Sequence, residues 1–187
     1  MNKVRSLDTQ KLVLLALLTA IVIVFQFLGA FIKFGPFSIS LVLMPIAVGA
    51  ALAGVIAGGW LGLVFGFVVL ISGDAAPFMA VDPLGTVFVV LVKGMFAGLA
   101  AGALYKLLAK TGKTVATIAA ATICPIVNTG IFIIGSYVFF LPTISEWAGD
   151  AGATSFIFLS MVGANFLLEL GLNIVLIPVI VDRKSVV

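Results

Sequence analysis

Residues 12–32 read LVLLALLTAIVIVFQFLGAFI, an almost unbroken apolar run in which one threonine and one glutamine are the only polar side chains. The run is long enough to cross the hydrocarbon core of a bilayer as an α-helix, which takes about 20 residues. It is too long for the core of a cleaved signal peptide, and no small-residue cleavage site follows it. This stretch therefore predicts a first transmembrane helix.

The composition of the whole chain agrees with that prediction. Of its 187 residues, 63% are hydrophobic and 9% are charged, whereas soluble domains carry about 25% charged residues. The apolar runs lack the two-residue alternation of a membrane β-barrel, and helices satisfy their own backbone hydrogen bonds in lipid. We predict one all-α membrane domain over residues 1–187, a compact bundle of six transmembrane helices.

Glycines, prolines and charged residues divide the apolar runs. Asp82 followed by Pro83 indicates a helix start, since a capping carboxylate and a proline both suit the first turn. Only glycines separate the second helix from the third, but a single helix of their combined length would be too long to span simply. The predicted helices cover about residues 12–32, 38–53, 57–71, 83–108, 114–140 and 155–181.

Basic residues fall mainly on one side of this six-helix arrangement. Lys33 is the only basic residue in the loops on the opposite side, and a five-helix arrangement would split the basic residues across the membrane. By the positive-inside rule, both termini are expected in the cytoplasm. The basic residues on the predicted cytoplasmic side are Lys3, Arg5, Lys11, Lys106, Lys110, Lys113, Arg183 and Lys184.

Several function classes are excluded by what the chain lacks. It has no histidine and a single cysteine, Cys124, which removes His-based catalysis, Cys/His zinc sites and internal disulfides. Gly112-Lys-Thr114 lacks the upstream glycine of a phosphate loop. We therefore expect no enzymatic activity, no ATP hydrolysis, no cofactor, no metal site and no nucleic acid partner for this chain.

Polar side chains at membrane depth form the candidate substrate site, because charges there are costly and usually pair, face a cavity or carry function. Asn165, Glu169 and Asn173 recur every four residues and so share one face of the sixth helix. With Lys93 and Asn128 they predict the polar floor of an outward-facing pocket. The alternative is a structural Lys93–Glu169 ion pair, with asparagines joining the helices.

Aromatic side chains lie in each of the three predicted outer loops. Phe34 follows the first helix, Phe78 lies after the third, and Trp147 lies after the fifth. Aromatic residues at this level commonly anchor a protein at the membrane interface. Together they also suit a lid over the polar pocket, and both interpretations remain open.

Small residues recur at four-residue spacing, which lets another backbone approach a helix closely. Ala16 and Ala20 form such a pair near the cytoplasmic end of the first helix. Two glycine-rich series are expected to serve packing inside the bundle. Their members are Ala50, Gly54, Gly58, Gly62 and Gly66 in the first and Gly94, Gly98 and Gly102 in the second.

These features resemble, over essentially the whole chain, the substrate-specific S components of energy-coupling-factor (ECF) vitamin transporters. Ala16-Leu-Leu-Thr-Ala20 is similar to the family's contact with the transmembrane coupling subunit. The resemblance implies a multi-pass protein of a prokaryotic plasma membrane that binds a vitamin from outside. It then docks on the coupling subunit and, through it, on two ATPases. It also implies a pocket that includes Phe34, Ser38, Lys93 and Asn128.

Three segments are most similar to pantothenate-type members: Phe37-Ser-Ile-Ser-Leu-Val-Leu-Met-Pro45, Gly62-Leu-Val-Phe-Gly66 and Asp82-Pro-Leu-Gly-Thr86. Pantothenate carries a carboxylate for Lys93 and hydroxyl and amide groups for the asparagines, although Glu169 would repel the anion unless offset. The alternatives are another vitamin, such as riboflavin or folate, or a stand-alone carrier or channel. An intramembrane enzyme using Ser72 or Ser160 has no supporting spacing.

Overall fold

The computed structural model describes residues 2–31, 33–34, 37–38, 41–163, 166–167, 169–171 and 173–175. Side chains are described for residues 9–30, 41–159, 162–163 and the helical residues from 166 onward. Almost all of these residues are helical.

Helix α1 spans Asn2–Phe31, so the polar residues before the apolar run continue the same helix. A small antiparallel hairpin follows, formed by β1 (Lys33–Phe34) and β2 (Phe37–Ser38). Lys33 pairs with Ser38 and Phe34 pairs with Phe37. This hairpin connects α1 to the next helix.

Helix α2 spans Leu43–Ala53, which corrects the predicted start at residue 38. Pro45 explains the later start. The N–H groups of the first turn make no intrahelical hydrogen bonds, so the N–H that proline lacks costs nothing there. A helix from residue 38 would have placed this proline in its interior. Gly54, with φ of 105°, then ends α2, and α3 (Val55–Ile71) begins directly after it.

The short helix α4 (Ala76–Met79) precedes two long helices, α5 (Pro83–Leu108) and α6 (Lys113–Phe139). Asp82 caps α5 as predicted, since its Oδ1 accepts a hydrogen bond from the Gly85 N–H at 3.0 Å. Pro125 lies inside α6. These two long helices and α3 form the centre of the bundle.

The segment after α6 is helical where the sequence suggested a loop. Helix α7 spans Leu141–Ala148 and buries Ile144 and Ala148, and a 3-10 turn (Gly149–Ala151) follows it. The predicted sixth helix begins as α8 (Ala153–Ser155) and continues as a π-helix over Phe156–Gly163. Further helical residues reach 175, and residues 176–181 of the prediction lie outside the described part of the chain.

Helices α3 and α5 approach each other through facing glycines. A Cβ atom on Gly62 would overlap the Gly94 carbonyl, and one on Gly58 would overlap the Gly98 carbonyl. Glycine therefore permits a contact between backbones that any side chain would block. The packing role predicted for these glycines is confirmed, except that Gly54 lies in open space at the α2–α3 junction.

The outer surface of the bundle is strongly apolar. Among the described residues, three helical segments are long and apolar enough to cross a membrane: Thr9–Ala30, Pro83–Leu108 and Lys113–Phe139. Helices α2 and α3 are also apolar but shorter. Large hydrophobic side chains such as Ile56, Ile71 and Leu84 are mostly exposed. This outside suits lipid better than water.

Candidate substrate-binding site

Lys93 of α5 is the cation around which the candidate site is built. Its Nζ lies 5.8 Å from the ring centroid of Phe65 on α3 and 5.1 Å from that of Phe132 on α6. A cation at this distance is attracted by the aromatic quadrupole, by about 2 kcal/mol when the group is desolvated. The two rings therefore hold the ammonium group between three helices.

Two carboxylates from different elements are buried or half-buried in the described part of the chain. Glu169, which is 7% exposed, lies in the last described helical stretch, and Asp74 lies in the turn between α3 and α4. Asp74 is absent from the site predicted from the sequence, because loop carboxylates are usually solvated.

Asp74 is in turn bound by α1. The Gln26 Nε2 donates a hydrogen bond to the Asp74 Oδ2 at 3.2 Å, and Gln26 is only 2% exposed. Gln26 is the glutamine of the apolar run that predicted the first helix. A polar residue at that depth in an apolar run is itself a sign of function or pairing. The presence of Gln26 in that run was therefore the sequence signal that could have predicted a polar partner for it.

Two amide side chains have buried atoms that find no hydrogen-bond partner in the described part of the chain. Asn128 and Asn173 are 6% and 2% exposed. Among the described residues, no hydrogen-bond partner reaches the Asn128 Oδ1 or the Asn173 Nδ2. Leaving a buried polar atom unpaired costs about 1–3 kcal/mol, so such atoms are normally satisfied. An acceptor and a donor are therefore available to a ligand.

Ser136 of α6 is a third such group. It is fully buried, and its Oγ finds no partner within the described part of the chain. Serine in a transmembrane helix usually bonds to the preceding turn of its own backbone. For that reason Ser136 carries no signal in the sequence that would single it out.

Aromatic contacts connect Lys93 to α4 and α7. Phe132 packs edge-on against Phe78 with ring centroids 5.7 Å apart, and Phe78 packs against Trp147 at 5.8 Å. Three predicted site residues, Lys93, Phe78 and Trp147, are thus joined through Phe132. Phe132 itself was not predicted, although it lies one turn from Asn128 on the same helix face.

For the remaining predicted residues the structure describes the backbone alone, the exposure alone or nothing. Asn165 lies outside the described residues, and Phe34 and Ser38 belong to the hairpin, where only the backbone is described. Ala16 and Ala20 are exposed on α1. No group of three or more Cys, Asp or Glu side chains within the described residues is arranged to hold a metal ion.

A helical bundle with an apolar outside and buried polar side chains among its described residues defines a class: a helical membrane-embedded protein. The family model described as "ECF transporter, substrate-specific component" matches residues 10–181. The chain belongs to this family. Searches of curated proteins and of solved structures found no match.

Membership in this family fixes the general role of the chain. S components are membrane proteins that bind a substrate and work with an ECF module made of transmembrane and ATPase subunits. The family consists of transporter subunits and is not a family of enzymes. The identity of the substrate is a separate question that depends on the site.

Proposed function

We propose that this chain is the high-affinity subunit of an ECF-type importer for a water-soluble vitamin, with pantothenate as the first candidate. The observation that carries this proposal is that the Asn128 Oδ1 and the Asn173 Nδ2 have no hydrogen-bond partner within the described ranges. Structural asparagines that join helices would bind each other or the backbone. Atoms left unpaired among the described residues instead suit a ligand with its own donors and acceptors.

Pantothenate has the chemical groups that this site would recognise. Its carboxylate would bind Lys93, and its hydroxyl and amide groups would bind Asn128 and Asn173. Its apolar carbons would pack on Phe132, with Phe78 and Trp147 towards the outside. We keep Phe34, Ser38, Asn165 and Glu169 as further members of the proposed pocket.

The proposed orientation follows from the charge pattern. Six transmembrane spans with both termini in the cytoplasm would put the α5–α6 turn inside the cell and the hairpin, α4 and α7 outside. The pocket would then open towards the cell exterior of a prokaryotic plasma membrane. This arrangement suits capture of a scarce vitamin from outside.

We further propose that α1 docks on the coupling subunit. Ala16 and Ala20 are exposed on the same helix face as Leu12, Leu17 and Val24. The two alanines leave a shallow region on an otherwise bulky apolar face, where a partner helix can approach closely. Through that subunit the chain would be coupled to two ATPases, whose ATP hydrolysis would supply the energy for transport.

Purification followed by mass spectrometry of the bound small molecule tests the proposal directly. We expect pantothenate to co-purify with the protein. In a calorimetric titration of the vitamin-free protein, pantothenate should bind, whereas riboflavin and folate should not. A protein that carries no vitamin and binds none of the three would contradict the proposed function. Substrate accumulation in liposomes that contain this chain alone would instead indicate a stand-alone carrier.

A further inference from the structure

We propose that Ser136 of α6 is a specificity-determining residue whose hydroxyl binds the carboxylate of the substrate together with Lys93. This inference rests on the proposed function, since it concerns the same pocket. It assigns a ligand to a buried hydroxyl that the packing of the described helices does not use.

Ser136 differs from two threonines of the same helix in how its hydroxyl is bonded. Thr117 and Thr122 each donate a hydrogen bond of 2.8 Å to the carbonyl four residues earlier, which is a common arrangement for a hydroxyl inside a helix. The Ser136 Oγ is fully buried, and no atom of the described residues forms a hydrogen bond with it. Because an unpaired buried hydroxyl is costly, this group is available to a ligand.

The face of α6 that carries Ser136 is the face that contacts α4. Phe132 lies one turn before Ser136 and Phe140 one turn after it, and residues four apart share a helix face. Both rings pack against Phe78, with centroids 5.7 Å and 4.9 Å from that of Phe78. The hydroxyl of Ser136 therefore lies among aromatic rings, and a ligand that reaches it displaces part of this cover.

Contacts between α5 and α6 place Ser136 about one turn from Lys93. Gly135, the neighbour of Ser136, packs on Val89, since a Cβ atom on this glycine would overlap the Val89 side chain. One turn further along α5 and one turn back along α6, the Lys93 Nζ lies 5.1 Å from the ring centroid of Phe132. The level of Ser136 is therefore about 5.4 Å from that of Lys93 along the helices. The flexible four-carbon stem of lysine spans such a distance, so one ligand group can bind both side chains.

A carboxylate is the ligand group that suits this pair of side chains. It only accepts hydrogen bonds and has two oxygens, so one oxygen can bind the Lys93 ammonium group and the other the Ser136 hydroxyl. A hydrogen bond to an ionised group is about twice as strong as one between neutral groups. Ser136 should therefore contribute more to the binding of an acid than to that of the corresponding alcohol. The rest of pantothenate would then extend along Phe132 towards Asn128, as in the proposed pocket.

The test compares binding of pantothenate with binding of its alcohol analogue, pantothenol, by calorimetry on the full chain in detergent. Ser136→Ala removes the hydroxyl without breaking any hydrogen bond of that hydroxyl among the described residues. We expect at least tenfold weaker binding of pantothenate and a change of less than threefold for pantothenol. The unfolding temperature of the ligand-free variant should stay the same or rise, because a buried group without a partner is removed.

Ser145→Ala in α7 is the matched control, since it makes the same chemical change at an exposed hydroxyl that donates to the Leu141 carbonyl at 2.8 Å. It should leave both affinities unchanged. Unchanged affinities in Ser136→Ala, equal losses for the acid and the alcohol, or a larger loss for the alcohol would overturn the inference while leaving the proposed function intact. A native protein that binds neither compound would refute both.

Discussion

Lys93 carries the clearest prediction at the scale of single residues. Lys93→Ala should weaken pantothenate binding about 10- to 100-fold, since hydrogen bonds to charged groups contribute about 1.5–3 kcal/mol. Pantothenol binding should change only a few-fold, and calorimetric titration measures both. Lys106→Ala, at an exposed position of the same helix, is the control, and equal losses for the two ligands would exclude the carboxylate role.

Asn128 distinguishes a ligand-binding role from a packing role. Asn128→Leu keeps nearly the same shape and removes an oxygen that has no partner among the described residues. We expect the unfolding temperature of the ligand-free protein to stay the same or rise, and vitamin affinity to fall at least tenfold. A protein that loses stability but keeps its affinity would show that Asn128 joins helices instead.

Some of these residues could be predicted from the sequence for a physical reason. A lysine, a glutamate or an asparagine inside an apolar run is costly, so its presence alone indicates a role. Phe132 and Phe65 carry no such signal, because phenylalanine is ordinary in a membrane helix. Only the packing of α3 and α6 around α5 brings these two rings to Lys93.

Among the helices, the α3–α5 contact is the most sensitive to substitution. Gly62→Ala should destabilise the protein by about 1–3 kcal/mol, because the added methyl group would overlap the Gly94 carbonyl. Thermal unfolding in detergent measures this loss.

Gly130→Ala in α6 is the matched control, because a methyl group there would meet no atom within 4 Å. It should leave stability unchanged or raise it by up to about 1 kcal/mol, since alanine favours a helix over glycine. Comparable losses in the two variants would mean that the glycines of α3 and α5 are not required for close packing.

Helix boundaries were predictable where a local signal existed. Asp82 and Pro83 mark the start of α5 because capping depends only on neighbouring residues. The hairpin before α2, helix α7 and the π-helix after α8 carried no comparable signal. Pro45 and Pro142 each lie in a first turn, where proline is compatible with both a loop and a helix start.

For the whole molecule, docking should be separable from substrate binding. Replacing Ala16 and Ala20 together with Trp should abolish assembly with the coupling subunit, because the bulk would block close helix contact. Vitamin affinity should stay within threefold, since both side chains point out of the bundle. Co-purification with the ECF module and calorimetry measure the two properties.

The double variant Ile134→Trp and Val138→Trp provides the control for that experiment. These residues are also four apart and exposed, but on α6, so the pair should leave assembly intact. Loss of vitamin binding in the α1 variant would show that Ala16 and Ala20 serve internal packing.

Orientation in the membrane is the second property of the whole molecule that can be tested. Cys124 is buried, so the native chain should react little with a membrane-impermeant maleimide. We expect Asp150→Cys to be labelled in intact cells and Lys110→Cys only after permeabilisation. The reverse pattern would contradict cytoplasmic termini.

The sequence by itself determined the class of the molecule, because a bilayer constrains composition and helix length directly. It also indicated which charged and amide side chains needed an explanation. The tertiary structure decided which of them meet. Gln26 and Asp74 are far apart in the chain, as are Phe65, Lys93 and Phe132, and each set is brought together only by helix packing. That packing depends on facing glycines, whose partners no local pattern identifies.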